Sequence, residues 1–468
     1  MIKSVNIHAQ TKLKAHSISN NMAFEDVPIG DIRLPDLLVK PPTKRGIATT
    51  KAILQQFGPV VPALIDDNGI LIAGFELHAA ARELGLATIK AVRVSSLGDA
   101  DRRALTIALA RLPELSTWDA EALQTEFKGL LSLDLEFDLH DLTGFTIGEL
   151  DVVLDDADSG DRHDPADHIP EPSPPEQIVS RPGDIFLVGK HRMLCGTCLE
   201  AGSYEQLLRE NMARMLFSDS PYGIKIRGNV SRKHDDFAMG VGEQSRVEFT
   251  AFLETMIRLS CRHLADGGLA YLFMDRRHLL ELQMAAEQAG LTLFDLCIWN
   301  KLSGGMGGLY RSQHEPIYIF KHGKAPHLNN VELGKHGRYR TNVWDHRGLS
   351  SFGKGRDTAL ADHPTVKPVN LLAEAIKDCT RRGDIVLDPF AGSGSTLLAA
   401  ERCGRVGYGI ELEPKYVDVT VRRLETFTGK PAIHEATGLT FAQLRRRRVR
   451  QPAAPLEPDV NGAKAGGG

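Results

Sequence analysis

The chain has 468 residues, 42% hydrophobic and 25% charged, with a formal net charge of −4; this length implies two or three domains and excludes a peptide, a disulfide miniprotein and a single small binding module. The balanced composition excludes a globally disordered chain, and no apolar run of about 18 residues is present to span a membrane. Six cysteines are too few for a disulfide framework and are expected as reduced, mostly buried thiols. The opening residues lack the apolar stretch of a secretory signal, so a cytoplasmic protein is expected, and with so little net charge any nucleic-acid partner must be read from local charge.

In chain order, residues 29–94 read as small α/β structure: a strand at 62–65, a turn at Asp66-Asp67-Asn68-Gly69, a strand at 70–73, a helix, and a strand at 89–94. From 99 to 156 the apolar residues recur at helical spacing. Leu105, Ala108, Leu109 and Leu112 share one face and Leu123, Phe127, Leu130 and Leu131 the next, which predicts a helical connector over 96–154. Acidic residues running into Pro172, Pro174 and Pro175 predict a solvated linker over 155–177. A hairpin over 183–194 then opens a domain spanning 178–430. Apolar runs at 215–218, 269–274, 293–299, 317–320, 385–388 and 406–410 alternate there with helical segments, predicting a doubly wound, mostly parallel α/β sheet. Arg445, Arg446, Arg447, Arg448 and Arg450 lie in a last segment, 431–468, expected as a basic, disordered tail.

Two motifs carry chemistry. Residues 384–395, DIVLDPFAGSGS, precede an apolar helical stretch and so read as strand, glycine-rich turn, helix. Gly392 and Gly394 permit positive φ and let a ligand approach backbone N–H groups. Glu411 closes the next strand, 19 residues after Gly392, where doubly wound nucleotide binders set a carboxylate on ribose hydroxyls. The GxGxxG spacing and a phosphate-loop GKS or GKT are both absent, so a ribose-bearing cofactor without pyrophosphate fits, and S-adenosyl-L-methionine is the candidate. A tight strand-to-helix connection is the alternative. The second motif, Asp219-Ser220-Pro221-Tyr222, follows an apolar strand and falls at the carboxyl ends of the strands, where open α/β sheets bind ligands.

Asp219-Ser220-Pro221-Tyr222 followed later by Phe390-Ala-Gly-Ser-Gly394 resembles the amino-methylating DNA methyltransferases, in the order of their beta class. Trp299-Asn300-Lys301, Tyr310-Arg-Ser-Gln-His-Glu315 and His363-Pro-Thr-Val-Lys-Pro368 extend the likeness over roughly 181–428, with Ser220 standing where the family usually shows proline. The resemblance implies a Rossmann-like methyltransferase sheet. It implies catalysis by Asp219, Ser220, Pro221 and Tyr222, and binding of S-adenosyl-L-methionine by Asp388, Phe390, Gly392, Gly394, Glu411, Thr365 and Lys367. N6 of adenine is the expected target rather than N4 of cytosine, because family members acting on cytosine more often show serine in place of Asp219. The physical logic is that an exocyclic amine has its lone pair delocalised into the ring. Acceptors on both N–H bonds, Asp219 and the Ser220 carbonyl, localise that pair, Pro221 stiffens the turn and Tyr222 stacks on a flipped base.

Between the Trp299 and His363 motifs, Lys335, Arg338, Arg340, Arg347, Lys354 and Arg356 are interleaved with Tyr339, Trp344 and Phe352, a composition suited to double-stranded DNA. Arg227, Arg232, Lys233 and His234 suggest a second DNA-facing loop, and the basic tail a nonspecific contact. Ile72-Ala-Gly-Phe-Glu-Leu-His-Ala-Ala-Ala-Arg-Glu-Leu-Gly85 resembles the ParB-like domain, assigned to 1–95, with Leu77 where that family often carries arginine. Its expected role is DNA association or oligomerisation, a homodimer included, in a nucleoid-associated protein. Cys195-Gly-Thr-Cys198 has no second pair at ligand spacing, so no metal site is expected. The competing readings are N4-cytosine methylation, methylation of a protein glutamine amide, and a nonenzymatic partition or regulatory protein on a vestigial methyltransferase fold.

Overall fold

The computed structural model describes residues 24–133, 135–155, 164–221, 245–304, 309–331, 340–348 and 367–450. Two units divide the chain at Asp155. In the first, β1 (Glu25–Pro28), β2 (Ala63–Ile65), β3 (Leu71–Ala73) and β4 (Thr88–Arg93) form a sheet of order β1-β4-β2-β3, parallel only between β2 and β4. The turn joining β2 to β3 forms because Asp66 Oδ1 accepts from Asn68 N at 2.9 Å and Ile70 N at 2.8 Å. Val27, Ile65, Leu71, Ile89 and Ala91 of the sheet pack with Leu77 and Ala81 in a small core. The helices are α1 (Lys44–Phe57), α2 (Phe75–Glu83), α3 (Asp99–Arg111), α4 (Ala120–Leu131), α5 (Leu139–Thr143) and α6 (Ile147–Leu154). The last three share a separate core of Phe127, Leu139 and Leu150, and their starts are fixed by caps from Asp119, Asp138 and Thr146.

The second unit contains β5 (Ile185–Val188), β6 (His191–Cys195), α7 (Ala201–Leu208), β7 (Ala213–Ser218), α8 (Arg246–Cys261), β8 (Leu264–Phe273), α9 (Leu279–Gln288), β9 (Leu291–Asn300) and β10 (His314–His322). It continues with β11 (Val343–Asp345), α10 (Val369–Cys379), β12 (Ile385–Asp388), α11 (Ser395–Arg402), β13 (Val406–Glu411), α12 (Pro414–Thr428), β14 (Ile433–His434) and α13 (Phe441–Arg450). Ten strands form one sheet in the order β11-β9-β10-β8-β7-β12-β13-β6-β5-β14. The centre from β8 to β6 is parallel, whereas β10 and β9 on one flank and β5 and β14 on the other pair antiparallel. The sheet is therefore mixed α/β with a parallel heart. Successive residues serve opposite faces: Met215, Phe217, Tyr271 and Phe273 pack under α10, α11 and α12, while Leu216, Ala270 and Leu272 pack under α7, α8 and α9. Burial on both faces explains why these strands read as unbroken apolar runs.

Two expectations need correction. The acidic segment read as a solvated linker is packed on the second unit from residue 164 onward: Asp164 pairs with Arg402, Asp167 accepts from Val369 N at 2.8 Å, and Ile169 is buried. Its charges meet protein partners rather than water alone, and Arg423 donates to the Ala166 carbonyl at 2.7 Å. The first part of the basic tail is likewise ordered. Phe441 and Leu444 bury one side of α13, and Arg448 is held by Asp184 and the Val179 carbonyl. Residues 451–468 lie outside the described residues.

Candidate active site

The strand order reverses direction at β7 and β12, which lie side by side with β8 beyond one and β13 beyond the other. A crevice at the carboxyl ends of such strands is the ligand position in open α/β sheets. Both motifs open onto it. Asp219, Ser220 and Pro221 follow β7 directly; the Asp219 side chain is 27% exposed and Ser220 is buried. Tyr222 and Thr365 lie outside the described residues, as do Arg227, Arg232, Lys233 and His234.

After β12, Asp388 accepts from Phe390 N at 3.0 Å, which bends the chain into the glycine turn. Gly394 N donates back to the Ala391 carbonyl at 2.7 Å, and Gly394, at φ 85°, heads α11. Gly392 N donates to Glu411 Oε2 at 2.9 Å, and Glu413 N to Glu411 Oε1 at 2.7 Å, so the acid closing β13 is already bound to the turn. From α12, Thr420 donates to the Gly392 carbonyl at 2.9 Å and Arg423 to the Ser393 carbonyl at 2.6 Å. Phe390 packs beside Phe252, ring centroids 5.9 Å apart.

Burial above all pushes the carboxyls of Asp388 and Glu411 up to about 7, the charges of Asp219 and Glu411 contributing to the rise at Asp388. Two carboxyls whose ionisation is opposed by desolvation form a site suited to a cation. Ser218 Oγ, at the end of β7, is buried with no hydrogen-bond partner among the described residues. A ribose-bearing, positively charged ligand fits this donor set: hydroxyls for Glu411, backbone at the glycines, positive charge for the acids.

Lys367 occupies a place the sequence did not foretell. Expected to cover the cofactor, its ammonium instead donates to Asp219 Oδ2 at 2.6 Å, lies 3.2 Å from Glu315 Oε2, and sits 4.9 Å from the centre of the Phe273 ring. Glu315 in turn pairs with Lys301, which lies 5.0 Å from the Trp299 ring centre. Burial opposes the charge on Lys367, but Asp219 and Glu315 outweigh it and raise its pKa. Burial also opposes ionisation of Glu315, and Lys367 and Lys301 overcome it and hold that carboxyl below its ordinary range. In the sequence Glu315 and Lys301 are visible only as parts of motifs, without roles. The signal that could have found them is a cation and an anion beside facing residues of one antiparallel pair, where Glu315 lies opposite Trp299.

Of the proposed DNA contacts, Lys335, Arg338, Lys354 and Arg356 lie outside the described residues, and Arg347 is exposed. Arg340 is a correction. Its guanidinium is largely buried, paired with Glu374 and with Asp378 at 3.0 Å, and stacked 5.0 Å from the Trp344 ring centre. Burial opposes the charge on Glu374, yet His346 and Arg340 hold its carboxyl down at about 2. Arg340→Ala is expected to destabilise the unit by about 3 kcal/mol, because Asp378 and Glu374 lose their shared cation. Denaturant unfolding measures that loss, and the salt dependence of DNA binding should be unchanged. The thiols of Cys195 and Cys198 are pushed up to about 12 by burial and stay protonated.

Residues 213–422 match the DNA methylase family model N6_N4_Mtase, and residues 121–182 match the ParB-methyltransferase HTH domain. The second match falls mainly on the segments read as helical connector and linker, after the stretch 1–95 read as ParB-like. The type II methyltransferase M2.DpnII of Streptococcus pneumoniae is 29% identical over 223 residues, covering 45% of this chain and 82% of that protein. M.HinfI of Haemophilus influenzae is 27% identical over 281 residues, covering 57% of this chain and 74% of its own length. Among solved structures, the M1.HpyAVI–SAM complex is 21% identical, covers 50% of this chain and 98% of that one, and has a TM-score of 0.38. Residues 213–422 are thus similar to the amino-methylating N6/N4 DNA methylases, and residues 121–182, ahead of them, to the ParB-methyltransferase HTH domain.

Proposed function

We propose that the protein transfers a methyl group from S-adenosyl-L-methionine to an exocyclic amine of double-stranded DNA, N6 of adenine. The observation that carries this reading is the pairing of Asp219, at the end of β7, with the glycine turn and Glu411 beside the neighbouring strand β12. Asp388, Phe390, Gly392, Gly394 and Glu411 would hold the cofactor, which when bound supplies an activated sulfonium methyl group. Asp219 and the Ser220 carbonyl accept the two N–H bonds of the amine and turn its lone pair toward that methyl carbon. As the N–C bond forms and the C–S bond breaks, the nitrogen gains positive charge and sheds one proton to Asp219, whose partly exposed side chain passes it to water. Pro221 limits the freedom of the turn, so that the acceptors are in place before the base arrives. Asp219 favours adenine over cytosine by the family pattern. Exposed Arg347 and the cations of 335–356 other than Arg340 would meet phosphate.

The test is methyl transfer from labelled S-adenosyl-L-methionine to mixed-sequence unmethylated DNA, followed by nucleoside mass spectrometry. Labelled N6-methyladenine supports the reading. Labelled N4-methylcytosine keeps the mechanism and overturns the base, and absence of label in DNA overturns the reading.

The raised carboxyls give cofactor binding a pH dependence. A cationic ligand favours the ionised forms of Asp388 and Glu411, so binding below about pH 7 must expel protons that the free site holds. Affinity is expected to rise with pH up to about 7 and level off above, by up to about tenfold per pH unit for each proton displaced. Without ligand the sign for stability is the reverse: both carboxyls have folded-state pKa values above their unfolded ones, so their contribution diminishes as pH rises from about 4 through 7. Calorimetric titration at pH 6.5 in buffers of differing ionisation enthalpy measures the released protons, and Glu411→Gln should reduce their number.

A further inference from the structure

Resting on the methyl-transfer reading, we infer that Lys367 is a positioning residue for the reaction: its buried ammonium clamps the carboxylate of Asp219, and Glu315 with Lys301 anchors the clamp from behind. Asp219 comes straight after a strand whose last residue, Ser218, is fully buried, but its own side chain is partly exposed and has two rotatable side-chain bonds. Lys367 reaches it from the segment that leads into α10, 148 residues later in the chain, and bonds to Oδ2. A carboxylate is planar, so holding Oδ2 fixes the orientation of the whole acceptor group.

The four side chains alternate in sign: Lys301, Glu315, Lys367, Asp219. Each interior member touches two opposite charges. The row is neutral in sum, which is how a lysine nitrogen as buried as that of Lys367 keeps its proton. Phe273 under the ammonium and Trp299 under Lys301 limit where both cations can go. The row also separates Asp219 from a wholly anionic neighbourhood. Asp388 is within electrostatic reach of Asp219, and Lys367 supplies Asp219 with a bonded countercharge.

A positioning role acts through Asp219 and therefore shows in the chemical step rather than in cofactor binding. Lys367→Met is expected to lower kcat by about 100-fold, the cost typical of a reacting group displaced by an ångström, with cofactor affinity within about threefold of wild type. Lys367→Arg, which keeps a cation and two donors, should recover at least about tenfold of that loss. Glu315→Gln, leaving Lys367 bound to Asp219 but unanchored, should lower kcat by about tenfold. The decisive measurement is the double variant Lys367→Met with Asp219→Asn. If Lys367 works through Asp219, the double variant is no slower than Asp219→Asn alone.

Single-turnover methyl transfer, calorimetric cofactor binding and thermal denaturation on each variant decide between outcomes. Multiplying losses in the double variant, or a Lys367→Met protein that binds cofactor and retains kcat, overturns the inference while leaving the proposed function intact. A folded wild-type protein that binds cofactor but methylates neither base overturns both. Should Lys367→Met fail to fold, Glu315→Gln carries the test: unchanged kcat there, with Lys367→Arg no better than background, counts against the clamp.

Discussion

Asp219→Ala is expected to lower methyl transfer by about 10³-fold while the cofactor still binds. The substitution removes the acceptor that localises the amine lone pair, and the loss of one preorganised group at a developing charge costs about 10²–10³-fold in comparable sites. In the proposed mechanism Asp219 also receives the proton that the methylated nitrogen sheds, which places the expectation at the upper end. A second consequence follows from its partner. Lys367, 5% exposed, would keep Glu315 but lose the carboxylate of Asp219, so the variant should also melt at lower temperature. Asp219→Asn separates the two effects, since its amide oxygen still accepts from Lys367 while the negative charge is gone. Labelled transfer measured beside calorimetric cofactor binding tests the expectation; transfer by the alanine variant within tenfold of wild type would remove Asp219 from the mechanism.

Gly394→Val is expected to abolish cofactor binding and destabilise the methylase unit by at least about 2–3 kcal/mol. Gly394 has φ 85°, a conformation that costs any β-branched residue dearly. Space is equally restrictive: a Cβ built there would lie 2.5 Å from Cγ2 of Thr420. Thr420 cannot simply rotate away, because it is fully buried and its hydroxyl donates to the Gly392 carbonyl. Displacing it frees the turn whose Gly392 N–H is bound by Glu411. Gly394→Ala should show the same effects more weakly. Thermal denaturation with and without S-adenosyl-L-methionine measures both, and a valine variant with wild-type melting and a wild-type ligand shift would contradict the role given to this glycine.

Local features are legible in the residues alone. The run DIVLDPFAGSGS announces strand, turn and helix because glycine at a positive-φ position and an apolar run of strand length are short-range steric facts. The same holds for β7 ending at Ser218, with Asp219 immediately beyond. Sequence and structure part where a side chain's role depends on what faces it. Asp164 and Asp167 have the pattern of solvated linker charges, yet Asp164 meets Arg402, 238 residues away, and Asp167 meets the backbone of Val369. Arg340 has the setting of a phosphate contact and is spent on Glu374 and Asp378.

Dihedral preference and the spacing of apolar residues, both short-range, specify which segments become strands and helices, where the glycine turn must bend, and which acids end their strands at one edge of a sheet. Long-range packing adds what no local pattern contains: β7 and β12 are neighbours, Lys367 bonds Asp219, and Glu315 and Lys301 stand behind it. The reason is physical. A charge carries no label for its partner along the chain, and a buried ion pair is selected by packing and desolvation that exist only once distant segments have met.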